Sequence, residues 1–229
     1  MSILRIARMG HPVLRRVAEP LPPERLDDPD IQRLFDDMIE TVRESEGAGL
    51  AAPQVYVPLR IIVLSADPEA GPMVVVNPEI SFLSTNLVRS FEGCLSIPDL
   101  RAAVNRVSKV RVDGLDREGE AVSMDLEGFP AIAVQHECDH LDGVLFVDRC
   151  DLKTLAFMDE LRRFGPLDPN FRRGGGPPEG DGGAGGDEED TEPSEVPPGP
   201  AAGAPPDTAS SSGWSSTPLM LGRGSPAEG

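Results

Sequence analysis

The sequence predicts an α+β fold: a mainly antiparallel β-sheet packed around a central helix that bears a His-Glu-x-x-His (HExxH) run. Three observations predict it. Candidate strands outnumber candidate helices, and they do not alternate as strand–helix–strand units. Residues 109–115 and 121–127 flank the turn Asp116-Arg117-Glu118-Gly119 as two arms of a hairpin. One late helix carries Gln135-His136-Glu137-Cys138-Asp139-His140.

The elements follow in order. Residues 3–6 (Ile-Leu-Arg-Ile) read as a short strand. Gly10-His11-Pro12 is a turn, with His11 as a turn residue rather than a ligand, and residues 13–18 form a short amphipathic piece. Residues 20–28 are a Pro- and Asp-rich loop. Asp28 is placed to cap a helix with Pro29 at its first position. Ile31, Leu34, Phe35, Met38, Ile39 and Val42 recur at helical spacing, and Gly47 is the expected terminator. The helix delivers the chain into residues 47–54, Gly-Ala-Gly-Leu-Ala-Ala-Pro-Gln, read as a loop of small side chains that lets a partner approach the backbone. Residues 60–64 and 73–76 are β-branched runs bounded by Pro, Asp and Gly, hence strands, and 80–90 are expected to continue the sheet. Pro130 opens the late helix, with Ile132, Ala133, His136, His140 and Leu141 along one side. Asp151 is expected to cap a last helix that turns Leu155, Phe157, Met158 and Leu161 toward the sheet.

Composition divides the 229 residues. From Gly165 onward Gly, Pro, Ser and acidic residues dominate without apolar periodicity, and such a segment cannot bury enough apolar surface to offset its ordering entropy. The expectation is a folded body over residues 1–165 and a disordered tail over 166–229, in which 214–221 is read as a chance apolar cluster rather than a docking motif. The net charge is −18: 18 Lys and Arg against 28 Asp and Glu up to Phe164, and 3 against 11 beyond it. Neither part offers a basic patch for nucleic acid. Three cysteines do not suggest a disulfide framework, and no apolar run reads as a signal peptide or a membrane span. A cytoplasmic protein is expected.

The chemistry concentrates in two runs. His136 and His140 are four apart, so a helix stacks both imidazoles on one face. Glu92-Gly93-Cys94-Leu95-Ser96 supplies a thiol some forty residues earlier. Two imidazoles and the Cys94 thiolate make a three-ligand site for a divalent metal, with a fourth position for water unless Cys138 or Cys150 closes it. Cys138 is read as a buried small residue. Glu137, beside both histidines, is placed for a general base toward water rather than for a ligand.

The runs over 47–54, 92–96 and 135–143, in that order, resemble peptide deformylase, and the resemblance extends over about residues 3–164. It implies the same α+β fold. It also implies hydrolysis of the N-formyl group from the initiator methionine of new polypeptides, with Fe(II) as the metal and Zn(II) as a substitute. The resemblance points to the Gln54 amide and the Leu95 N–H as donors to the developing oxyanion. Gly49, Glu92, Gly93 and Arg101 are carried over as substrate-binding positions. Ala48, Phe129, Ile132 and Ala133 would line the pocket for the methionine side chain, where Ala48 departs from the isoleucine more frequent in the family. The implied partners are N-formylmethionyl nascent chains and the ribosome exit region. Two alternatives remain open at this stage: an HExxH metallopeptidase with Glu160 as third ligand, and a non-catalytic binding module of the same fold.

Overall fold

A computed structural model describes residues 2–66 and 71–166. The chain divides into two units, Met1–Pro178 and Glu179–Gly229. The tail expected over 166–229, with its apolar cluster at 214–221, lies outside the described residues save for Pro166.

Strands β1 (Gly49–Ala51), β2 (Ile61–Leu64), β3 (Met73–Phe82), β6 (Lys109–Leu115) and β7 (Ala121–Glu127) form a five-stranded antiparallel sheet in the order β1-β2-β3-β6-β7. Strands β4 (Leu87–Cys94), β5 (Ile97–Val107) and β8 (Ala156–Phe157) form a second sheet in the order β4-β5-β8. Three α-helices accompany them among the described residues: α1 (Pro29–Glu44), α2 (Phe129–Leu141) and α3 (Met158–Phe164).

The alternation of side chains along a strand explains how the larger sheet is covered. On β2, Ile61 and Val63 face the cluster built on α1, with Phe35, Met38 and Val42. Ile62 and Leu64 face the opposite cluster, with Ala131, Val134, Cys138 and Leu141 of α2. Buried on both faces, β2 reads as a continuous apolar run. A third cluster joins Cys94, Ile97, Ala102 and Val104 of the smaller sheet to Leu14, Leu145 and Phe146. Helix α2 is buried from Ala131 to Leu141 and touches strands of both sheets, so it is the central helix that the sequence predicts.

Several expectations hold in detail. The Asp28 carboxylate accepts the Asp30 N–H at 3.0 Å and caps α1, with Pro29 at its first position. Arms β6 and β7 pair along their full length from Leu115↔Ala121 to Lys109↔Glu127. His11 caps a 3-10 turn, Pro12–Arg15, its Nδ1 accepting the Val13 N–H.

Others are corrected. Residues 3–6 form no strand: Leu4 N–H donates to the Thr41 hydroxyl and Ala7 N–H to the Gln54 carbonyl, which leaves no ladder to build on. Residues 80–90 do not continue one sheet; β3 ends at Phe82 and β4 opens the second sheet at Leu87. Residues 49–51 are an edge strand rather than loop, and Leu50, Ala51 and Ala52 are fully buried, so these small side chains do serve the core. The residue that closes α1 in the left-handed region is Glu46 (φ 50°), not Gly47. Asp151 caps a 3-10 turn, Leu152–Thr154, and α3 begins only at Met158.

Candidate active site

Strand β4 ends at Cys94, where a bulge after Glu92 and a two-residue turn at Leu95 and Ser96 return the chain into β5. That hairpin end lies against α2, where His136 and His140 sit one turn apart. Cys94 Sγ lies 3.2 Å from His140 Nε2, and one donor atom from each of Cys94, His136 and His140 lies within 4.8 Å of the others. Tetrahedral bonds of about 2.0–2.3 Å place ligand atoms roughly 3.3–3.8 Å apart, so a thiolate and two imidazoles this close fit a divalent ion. Neither Cys138 nor Cys150 belongs to the group, and Glu160 is exposed on α3 away from it.

A buried polar chain fixes His136 from behind. His136 Nδ1 meets Glu92 Oε2 at 2.9 Å. Arg106, 4 % exposed, grips both oxygens of Glu92 at 2.7 and 2.9 Å and reaches Asp139 at 2.6 Å; Arg149 also pairs with Asp139, at 2.8 Å. Burial opposes the charge on Glu92, but hydrogen bonds from Arg106 and His136 override it and hold the carboxyl at about 2. Burial likewise opposes charging His136, yet its contacts with Cys94 and Glu92 push it up to about 10. His140 goes the other way: burial, then the charge on His136, hold it well below the ordinary imidazole value.

Glu137 follows His136 on α2 but turns into the cleft. It is buried, and its Oε2 has no hydrogen-bond partner. Burial is the main cause that pushes its carboxyl up to about 7, against the opposing charge of His136. Gly49 explains how Glu137 fits: a Cβ at that position would lie 2.7 Å from Glu137 Cγ and Oε1. Opposite, Gln54 accepts the Ala51 N–H through Oε1 at 2.8 Å. This fixes the amide so that Nε2 faces Ser96 Oγ at 3.3 Å and Cys94 Sγ at 3.5 Å.

These groups share a cleft of about 520 Å³. It is lined by Ala48, Gly49, Gln54, Glu92, Gly93, Cys94, Leu95, Arg101, Phe129, Ile132, Ala133, His136 and Glu137, while His140 lies behind the wall. Glu92 lines the cleft while its carboxylate is turned to His136 and Arg106. Gly93 lies under Arg101, whose guanidinium carbon occupies the space 2.0 Å from where a Cβ would stand. Sequence reasoning missed the rim residues Ser45, Glu46, Ser90, Pro98 and Asp99, and also Arg106 and Asp139. Arg106 left one readable signal, a charge inside the run Ala-Ala-Val-Asn-Arg-Val.

Residues 3–155 match the family model described as polypeptide deformylase. Peptide deformylase 1 of Prochlorococcus marinus is 40% identical over 178 residues, covering 73% of this chain and 92% of that protein. A K1U-bound crystal structure of class I type b peptide deformylase from Acinetobacter baumannii superposes with a TM-score of 0.63 at 43% identity, over 65% of this chain and 100% of that one. The Met-Ala-Ser-bound structure of the same bacterium's enzyme gives a TM-score of 0.61 at 40% identity, over 65% and 99%. No helix among the described residues is long and apolar enough to cross a membrane. Matched over most of its described length in sequence and in fold, the chain belongs to the polypeptide deformylase family.

Proposed function

We propose that Cys94, His136 and His140 hold the divalent metal of this deformylase, and that Glu137 performs its proton transfers. The reaction is hydrolysis of the formamide at the amino terminus of N-formylmethionyl polypeptides. Water adds to the formyl carbon, the C–N bond breaks, and formate and a free amino terminus leave.

The observation that carries the assignment is the buried Glu137 carboxylate, whose Oε2 has no hydrogen-bond partner, in the cleft that Cys94 and His136 also line. A divalent ion held there supplies charge that acidifies water and polarises a carbonyl. The protein's own groups do the rest. Glu137, held near neutrality by burial, takes the proton of the attacking water and returns it to the leaving nitrogen. The Gln54 Nε2 and the Leu95 N–H donate to the oxygen as it gains charge. Glu92 orients His136 and is itself held by Arg106, the outer support that metal-binding histidines commonly need.

Substrate geometry follows from topology. Strand β1 is the edge of one sheet and β4 the edge of the other, and both line the cleft. An extended peptide can therefore bond to edge-strand backbone on either side, at Gly49 and near Gly93 and Arg101. Its first side chain, methionine, enters among Ala48, Phe129, Ile132 and Ala133. We assign Fe(II) as the native metal with Zn(II) as a substitute, nascent chains near the ribosome exit region as the substrates, and the cytoplasm as the location. The catalytic domain is taken to end at residue 165.

Anaerobic purification with metal analysis, followed by formate release from a formyl-Met peptide, tests this reading. Formate from the formylated peptide, and none after chelation, is the expected result. Metal-loaded protein that releases no formate would overturn it.

A further inference from the structure

We propose that Ser90 reads the sulfur of the methionine side chain, its hydroxyl donating to the thioether; this rests on the deformylase reading above. Among the described residues, three buried side-chain polar atoms have no hydrogen-bond partner: Glu137 Oε2, His140 Nδ1 and Ser90 Oγ. Buried polar groups are nearly always paired, so each exception needs a physical reason. The first two belong to the groups assigned above to proton transfer and metal binding. Ser90 has no part in either, yet it lines the same cleft.

Its place on β4 is bracketed by two contacts with α2. Ser90 pairs with Val104 and Glu92 with Ala102, in unbroken register. Side chains two apart on a strand share a face, so Ser90 lies on the face that Glu92 turns to His136, at 2.9 Å. Farther along the ladder, Leu87 pairs with Val107, whose N–H and carbonyl are held by the Gln135 amide at 3.2 and 2.9 Å. The strand therefore meets α2 on both sides of Ser90. From that helix Phe129, Ile132 and Ala133 line the cleft. Ser90 adds a hydroxyl to the otherwise apolar set of Ala48, Phe129, Ile132 and Ala133.

A hydroxyl among apolar side chains discriminates by what it is left to pair with. Norleucine matches methionine in length but carries a methylene where methionine has sulfur, so it leaves the hydroxyl unpaired. A thioether sulfur is a weak acceptor. A sulfoxide oxygen at the same atom is a stronger one. A net hydrogen bond is worth about two- to thirteenfold, and the thioether belongs at the low end of that range.

The test measures kcat/KM in the wild type and in Ser90→Ala for formyl-X-Ala-Ser peptides, with X as norleucine, methionine or methionine sulfoxide. Comparing the two proteins on each peptide cancels the difference in hydrophobicity among the three side chains. The loss on substitution should follow acceptor strength: none for norleucine, about two- to fivefold for methionine and on the order of tenfold for the sulfoxide. Metal content should not change. The melting temperature should stay within about 2 °C of the wild type, since no bond inside the protein is lost. Equal losses on all three peptides, or a loss on none, overturn the inference with deformylation intact. A fall in melting temperature of more than about 4 °C also overturns it, because the hydroxyl would then be bonded within the protein. Failure of the wild type to release formate from every peptide overturns the deformylase reading, and this inference with it.

Discussion

Replacing Arg106 with Met removes the buried cation that links the proposed metal site to the rest of the core. Arg106 is 4 % exposed and makes three charge-assisted hydrogen bonds of 2.6 to 2.9 Å, two to Glu92 and one to Asp139. Met restores much of the volume, so the loss is electrostatic. Removing one member of a buried ion pair typically costs about 3–5 kcal/mol, because the other charge stays buried without its partner. Asp139 keeps Arg149 at 2.8 Å, whereas Glu92 keeps only His136, so the lower end of that range applies, ~3 kcal/mol. For a domain of this size that corresponds to a fall in melting temperature of about 6–12 °C. The variant should also bind metal about 10–100-fold more weakly, since the carboxylate that orients His136 is no longer held. The pH dependence has a definite sign. Glu92 is held at about 2 against an ordinary value of 4.5, so its contribution is full above 4.5 and is lost as pH falls through 2. In the variant burial opposes the charge on Glu92 without Arg106 to offset it, so this acid-induced loss should shrink. Thermal scans across pH and competition with a chromophoric chelator measure both effects. A shift under about 2 °C together with unchanged metal affinity would refute the reasoning.

Three further expectations follow from the same geometry. Gly49→Ala places a Cβ 2.7 Å from Glu137, so turnover should fall while bound metal is retained; normal kcat/KM would mean the Glu137 position is not critical. Cys94→Ala should lose the metal and Glu160→Ala should keep it, as elemental analysis of the purified variants will show; the reverse pattern would move the third ligand to α3. Deleting residues 166–229 should leave the melting temperature and formate release on short peptides unchanged. A drop of more than about 4 °C, roughly a kcal/mol, would move the proposed boundary at 165.

Short-range patterns were the legible part of the sequence. The Asp28 cap, the β6–β7 hairpin and the one-turn spacing of His136 and His140 depend on a few neighbouring residues, and the structure reproduces each. Elements decided by distant partners were not legible. Strand β5 carries Pro98, Asp99, Asn105 and Arg106, none of which favours a strand in isolation. It forms because β4 pairs with it along most of its length, and because Glu92 and Asp139 neutralise Arg106. The division of residues 80–90 between two sheets depends on which neighbour each half finds. At the site, donor residues showed through their chemistry and spacing. The rim did not, since a Glu in left-handed conformation carries no mark in the sequence. Glu92 was recognised as a position but not in its orientation, which Arg106 dictates from fourteen residues away.

The central claim is a three-ligand metal centre served by a carboxylate that does not bind the metal. Measuring metal content and turnover together in Glu137→Ala tests it most directly. The account predicts full retention of metal, with formate release lowered on the order of 10²–10⁴-fold. Loss of the metal would make Glu137 a ligand, and near-normal turnover would leave the proton transfers without the residue assigned to them.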